Sequence, residues 1–202
     1  MGARSRAAAQ ILTGQGFKAV YNFKGGMKAW KGHSVGGSAA MGMTLLKGNE
    51  RPAEIIRLAY GMEEALRQFY VSIAETTDDP HVSALLTQLA EIETNHKDRL
   101  FGLYQTHADT PIDQDSFEAD IVANFMEGGF TVDAFKAKNR SVLQSTAGVL
   151  SLAMMLEAQS MDLYRRYTDM RVDPEGRTIL FQLADEEKAH LLSLGTLLEQ
   201  KI

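Results

Sequence analysis

Apolar residues recur at three- and four-residue spacing along four long segments, the period of a helix that buries one face. The first stripe is Ile56, Ala59, Glu63, Leu66, Tyr70 and Ile73, and the second Leu86, Leu89, Glu93, His96, Leu100 and Leu103. The third is Leu150, Ala153, Glu157, Ser160, Tyr164 and Tyr167, and the fourth Leu180, Leu183, Glu187, His190, Leu194 and Leu197. The stripes predict helices near 52–76, 81–106, 146–169 and 174–200. The second and fourth open on Asp79-Pro80 and Asp173-Pro174. Such an aspartate suits the N-cap, and a proline at the first helical position has no N–H to leave unpaired. Between the second and third helices, Thr106 to Ser145 form a long connection with a short helix expected near Val132 to Lys138. A crossover of that length does topological work, here letting the second and third helices run parallel. The pattern predicts an all-α fold over 52–202, a four-helix bundle with one long crossover.

The first residues follow a different pattern. An Ala-rich helical stretch (Arg4 to Gly16), a short strand (Lys18 to Phe23) and a Gly25-Gly26 turn into Met27 to Trp30 predict a small α/β fragment over 1–34. A linker rich in Gly and Ser is expected over 35–51.

The two hairpins of the bundle are copies of one another. At a gapless offset of 94, residues 63–96 match 157–190 at ten of 34 positions. The identities include Glu63 with Glu157, Tyr70 with Tyr164, Asp79-Pro80 with Asp173-Pro174, Glu93 with Glu187, and His96 with His190.

Composition narrows the chemistry. The 202 residues are 45% hydrophobic and 23% charged, with a net charge of −5 and scattered Lys and Arg. Such a chain has material for a core and no basic face for nucleic acid or anionic lipid. No apolar run reaches the ~20 residues of a membrane span, so a cytoplasmic location is expected. With no cysteine in the chain, thiolate chemistry is excluded, and any metal must use carboxylate and imidazole.

Four glutamates and two histidines stand where a core stripe calls for leucine. An isolated buried carboxylate costs many kcal/mol and takes up a proton instead, so a cation is expected to meet these side chains. No Lys or Arg occupies the central part of the stripes, which points to metal. Glu63 lies 16 residues before Asp79 and Glu93 14 after it, as Glu157 and Glu187 do about Asp173. At 1.5 Å per residue the members of each pair reach heights within ~3 Å in an antiparallel hairpin. Each Glu-x-x-His puts its imidazole one turn further along the same face. The expected ligands are therefore Glu63, Glu93, His96, Glu157, Glu187 and His190. Two divalent ions against four carboxylates and two neutral imidazoles sum to zero charge. Such an oxygen and nitrogen set suits iron or manganese, and affinity alone would also admit zinc.

At these residues the chain resembles the ferritin-like superfamily, most closely its rubrerythrin branch. In that family one Glu from each of two helices and a Glu-x-x-His from each of the other two hold a di-iron site. The resemblance makes Glu63 and Glu157 the lone glutamates, and it implies a place beside the site for Tyr70 and Tyr164. Two features depart from it: Ser160 stands where rubrerythrins usually carry a further glutamate, and no cysteine-ligated electron-transfer module is present in the sequence. Residues 1–34 resemble the end of a rhodanese domain, through Gly2-Ala3-Arg4-Ser5, Gly16-Phe17, Val20-Tyr21-Asn22 and Gly25-Gly26-Met27-Lys28-Ala29-Trp30. Without that family's nucleophilic cysteine, sulfur transfer is not expected, and the segment reads as a remnant.

The resemblance implies an enzyme that reduces hydrogen peroxide or dioxygen at a paired iron centre, with an external electron-donor protein and a homodimeric assembly. A ferroxidase, iron-binding or iron-delivery protein is the first alternative, and a metal-free structural or interaction bundle the second. His33, His81 and His107 are expected at the surface, and Met154-Met155 as core filler.

Overall fold

The structure, a computed structural model, describes residues 18, 42, 45–126, 129–170 and 173–201. The chain divides into two compact units, 1–38 and 39–202, and the second contains every helix named below. Apart from Lys18, the expected rhodanese-like fragment (1–34) lies outside the described residues, as does about half of the expected linker.

The four long helices are α1 (Pro52–Ala74), α2 (Pro80–His107), α5 (Thr146–Thr168) and α6 (Pro174–Lys201). Two shorter ones, α3 (Gln114–Ala119) and α4 (Val132–Asn139), lie in the crossover, followed by a 3-10 turn at Val142–Gln144. Among the described residues there is no β-strand beyond an isolated bridge between Met126 and Phe130, so the fold is all-α.

Local chemistry sets the helix starts. The Asp79 carboxylate accepts from the backbone N–H groups of His81 (2.8 Å) and Val82 (3.3 Å). Asp173 accepts from Gly176 (2.9 Å), and Ser145 from Gly148 (3.1 Å). Each bond satisfies an amide that the first helical turn leaves unpaired. At Gly148 a Cβ would stand 1.9 Å from the Val142 carbonyl oxygen, so the 3-10 turn can lead into α5 only where a side chain is missing.

Helix α1 packs along α2, and α5 along α6; α1 also meets α6, and α2 meets α5. One hydrophobic cluster joins Ile55 and Ile56 from the start of α1, Leu100 and Tyr104 from the end of α2, Leu163, Tyr164 and Tyr167 from the end of α5, and Ile179 and Leu180 from the start of α6. The ends of α2 and α5 therefore share one end of the bundle, and these two helices run parallel, as the crossover requires.

The crossover is anchored by aromatic side chains. Phe117 of α3 is fully buried, 4.9 Å from Tyr60 in an edge-on contact and 4.4 Å from Tyr104. Phe135 of α4 meets Phe69 edge-on at 5.3 Å. Where the crossover passes α1, a Cβ on Gly61 would lie 2.6 Å from the Val122 carbonyl oxygen, so glycine permits the approach. Upstream of the bundle, the Tyr167 hydroxyl donates to the Gly42 carbonyl and accepts from the Leu46 N–H at 3.1 Å.

Candidate metal centre

Each hairpin carries its own triad at mid-height. In the first, Glu63 of α1 meets Glu93 and His96 of α2; in the second, Glu157 of α5 meets Glu187 and His190 of α6. Within each triad one ligand atom from every residue lies within 4.8 Å of the others, so each could hold a metal ion. His96 Nδ1 is 2.8 Å from Glu93 Oε2 and 3.8 Å from Glu63 Oε2. His190 Nδ1 is 3.2 Å from both Glu157 Oε2 and Glu187 Oε2. The two imidazoles stack, with centroids 3.5 Å apart and planes 3° from parallel, which sets the triads side by side. The structure thus brings together all six side chains expected from the stripes.

The ligand candidates are largely buried. All four glutamates are at most 4% exposed, and His96 is also buried, with His190 half-buried. Burial, together with the charges of Glu63 and Glu157, pushes the Glu93 carboxyl well above the ordinary carboxylate range. Burial acts the same way on Glu63, but His96, Glu93 and His190 together outweigh it and hold that carboxyl below its ordinary value. Glu63 Oε2 is buried without a hydrogen-bond partner among the described residues. A buried carboxylate oxygen without a hydrogen-bond donor among the described residues, beside a second carboxyl forced towards its neutral form, marks crowded negative charge. The residues present therefore fit a cation, and the donor set of carboxylate oxygen and imidazole nitrogen fits iron, manganese or zinc.

The nearest buried lysine serves another site. Lys97, next to His96 in sequence and 8% exposed, turns its ammonium to Glu64 (2.6 Å) and Glu118 (3.4 Å) and lies 5.0 Å from the Tyr60 ring centroid. Glu64 also binds Arg67 at 2.8 Å through both its oxygens. Burial works to raise the Glu64 carboxyl, but its bonds to Arg67, Lys97 and Gln68 overcome this and hold it at about 2. The apolar stripes do not disclose this network. Its sequence signal was a lysine beside a core histidine and the Glu64–Arg67 spacing on one helix face.

The resemblance placed Tyr70 and Tyr164 beside the site; both are fully buried. Tyr70 packs on Phe69 with centroids 5.5 Å apart, and Tyr164 belongs to the hydrophobic cluster shared by the ends of α2 and α5. Ser160, one turn after Glu157, is completely buried, and its hydroxyl has no hydrogen-bond partner among the described residues. His81 is exposed as expected, whereas His107 is partly covered and pairs with Glu175 at 3.0 Å. Met154 and Met155 are half-buried, at the edge of the core. His33 and Trp30 lie outside the described residues.

A cavity of about 440 Å3 reaches the centre, with Glu93, His96, Glu157 and His190 among its lining. Its other walls come from α2 and α6. Stripe periodicity alone does not disclose it, although Ser193 and Thr196, flanking the last stripe, are the polar residues that could have marked a mouth.

No curated protein and no solved structure matches the chain significantly. The sequence model of one family, described as Rubrerythrin, matches residues 54–198, an interval that contains all four long helices nearly whole and all six candidate ligands. On that match, and in agreement with the bundle and its paired triads, the chain belongs to the rubrerythrin family.

Proposed function

We propose that this protein is a dimetal oxidoreductase whose triads hold two iron ions, and that it reduces hydrogen peroxide or dioxygen with electrons from a separate donor protein. The observation that carries the reading is the pair of buried Glu–Glu–His triads, set side by side, with the Glu93 carboxyl pushed well above its ordinary range by burial and by the charges of Glu63 and Glu157. A redox-active metal pair bound there supplies the two electrons that reduction of peroxide to water consumes.

The chain's own residues account for the rest. Glu63 and Glu157 offer carboxylate oxygens from α1 and α5, while Glu93 with His96 and Glu187 with His190 offer an oxygen and a nitrogen each. The apolar side chains packed around them fix their rotamers, which keeps the ligand positions defined as charge changes. Four carboxylates and two neutral imidazoles balance two divalent ions, so loading removes the charge strain of the metal-free core. This sequence contains no cysteine that could bind an electron-transfer iron centre, so the proposed donor lies outside it.

Anaerobic ferrous loading followed by stoichiometric peroxide, observed by absorbance, tests the proposal. About two irons per chain, oxidised faster by peroxide than by dioxygen, is the expected result. Oxidation by dioxygen alone with uptake continuing past two irons would replace the enzyme with an iron-handling protein. Failure to bind iron would leave a structural bundle.

A further inference from the structure

The cavity at the centre is far larger than hydrogen peroxide or dioxygen requires. A water molecule occupies roughly 30 Å3 of liquid and hydrogen peroxide little more, whereas sites for organic molecules span about 300–1,000 Å3. At about 440 Å3 this cavity falls in the second class. Leu89 and Ile92 from α2 and Leu194 and Leu197 from α6 form an apolar wall. The polar groups Glu93, His96, Glu157 and His190 lie at one part of it, and the exposed Gln88, Ser193 and Thr196 form its rim. An apolar chamber with a polar inner end and a solvent-facing rim fits a molecule that has a hydrocarbon body and one polar end.

We infer that this cavity admits an organic hydroperoxide, with its hydrocarbon part against Leu89, Ile92, Leu194 and Leu197 and its O–O group towards Glu93, His96, Glu157 and His190. The inference rests on the proposed peroxide-reducing activity and names its substrate class. In the reaction the O–O bond of ROOH breaks and two electrons and two protons are consumed. The oxygen attached to carbon leaves as the alcohol ROH, and the other leaves as water. The electrons come from the separate donor protein of the proposed function, and the protons come from solvent through the open rim. Burial of the hydrocarbon part removes apolar surface from water and so supplies binding energy that hydrogen peroxide cannot.

The test uses the iron-loaded protein with cumene hydroperoxide, hydrogen peroxide and the unreactive product alcohol 2-phenyl-2-propanol. Calorimetric titration with the alcohol reads the cavity independently of turnover. The substitutions Leu197→Trp, on the wall, and Thr196→Trp, on the exposed rim where folding is not at stake, narrow the space. Saturable binding of the alcohol to the parent protein is expected, weakened about tenfold or more by each substitution. The ratio of kcat/KM for cumene hydroperoxide to that for hydrogen peroxide should fall by a similar factor. Reduction of hydrogen peroxide without alcohol binding and without cumene hydroperoxide turnover would overturn the inference and leave the proposed function standing. Alcohol binding indifferent to both substitutions would overturn it as well. If neither peroxide is reduced, the proposed function itself fails, and substitution-sensitive alcohol binding would then still identify the cavity as an organic-ligand site.

Discussion

At the scale of single residues, the centre is a set of side chains whose worth to the protein depends on a cation. Glu93 shows this most directly, because burial and the charges of Glu63 and Glu157 push its carboxyl well above the ordinary carboxylate range. Replacing Glu93 with Gln, which keeps the shape and removes the charge, should stabilise the metal-free protein by about 1 kcal/mol. The same substitution should abolish the rise in melting temperature that iron gives the parent. Denaturant unfolding with and without iron checks both, and a Glu93→Gln protein less stable than its parent when metal-free would contradict the charge argument. Glu64, next to Glu63 in sequence, behaves oppositely because Arg67 and Lys97 are present to meet it. Its carboxyl titrates at about 2 in the folded protein against an ordinary 4.5, so its stabilising contribution is complete above pH 4.5 and disappears as pH falls towards 2. Glu64→Gln should therefore cost about 1 kcal/mol at neutral pH, allowing for solvent screening of a partly covered pair. The gap between variant and parent, both metal-free, should close on acidification; a gap that widens would exclude this role.

At the scale of elements, the four long helices and the crossover's topology were readable from the sequence because periodicity and capping agree. The Asp-Pro pairs locate the starts of α2 and α6 to within one residue, and Asp79 and Asp173 do cap those helices. The six ligand candidates could be read for a related reason: a carboxylate on a core stripe is costly, so each exception to the apolar pattern was conspicuous. The crossover was less legible. The helix at Val132–Asn139 was expected, but α3 was not, because its six residues offer too short a window for a helical period and one apolar anchor, Phe117, decides its place. The cavity was hidden for another reason, since the space between two correctly identified stripes depends on how far their helices separate. Phe117 makes the crossover testable. Phe117→Ala should remove the contacts to Tyr60, Phe101 and Tyr104 and destabilise the protein by about 3–5 kcal/mol. Chemical denaturation measures the loss. A cost below 1 kcal/mol would mean that the crossover is held elsewhere.

At the scale of the whole molecule, the internal repeat explains why the site has two equivalent halves. Each hairpin carries a complete triad, and the stacked His96 and His190 rings are where the halves meet. Acid should empty both, because carboxylate and imidazole bind metal only when deprotonated. Iron content after equilibration at falling pH should decline before helix content does, and retention of iron down to the loss of helix would point to ligands other than these. No helix among the described residues is long and apolar enough to cross a membrane. Paired cations inside the bundle are what its buried carboxylates call for, and anomalous diffraction at the iron edge from crystals loaded with ferrous iron observes them directly. Two peaks per chain, one against Glu63, Glu93 and His96 and the other against Glu157, Glu187 and His190, are predicted. Peaks confined to the protein surface, or none within the bundle at full iron supply, would contradict it.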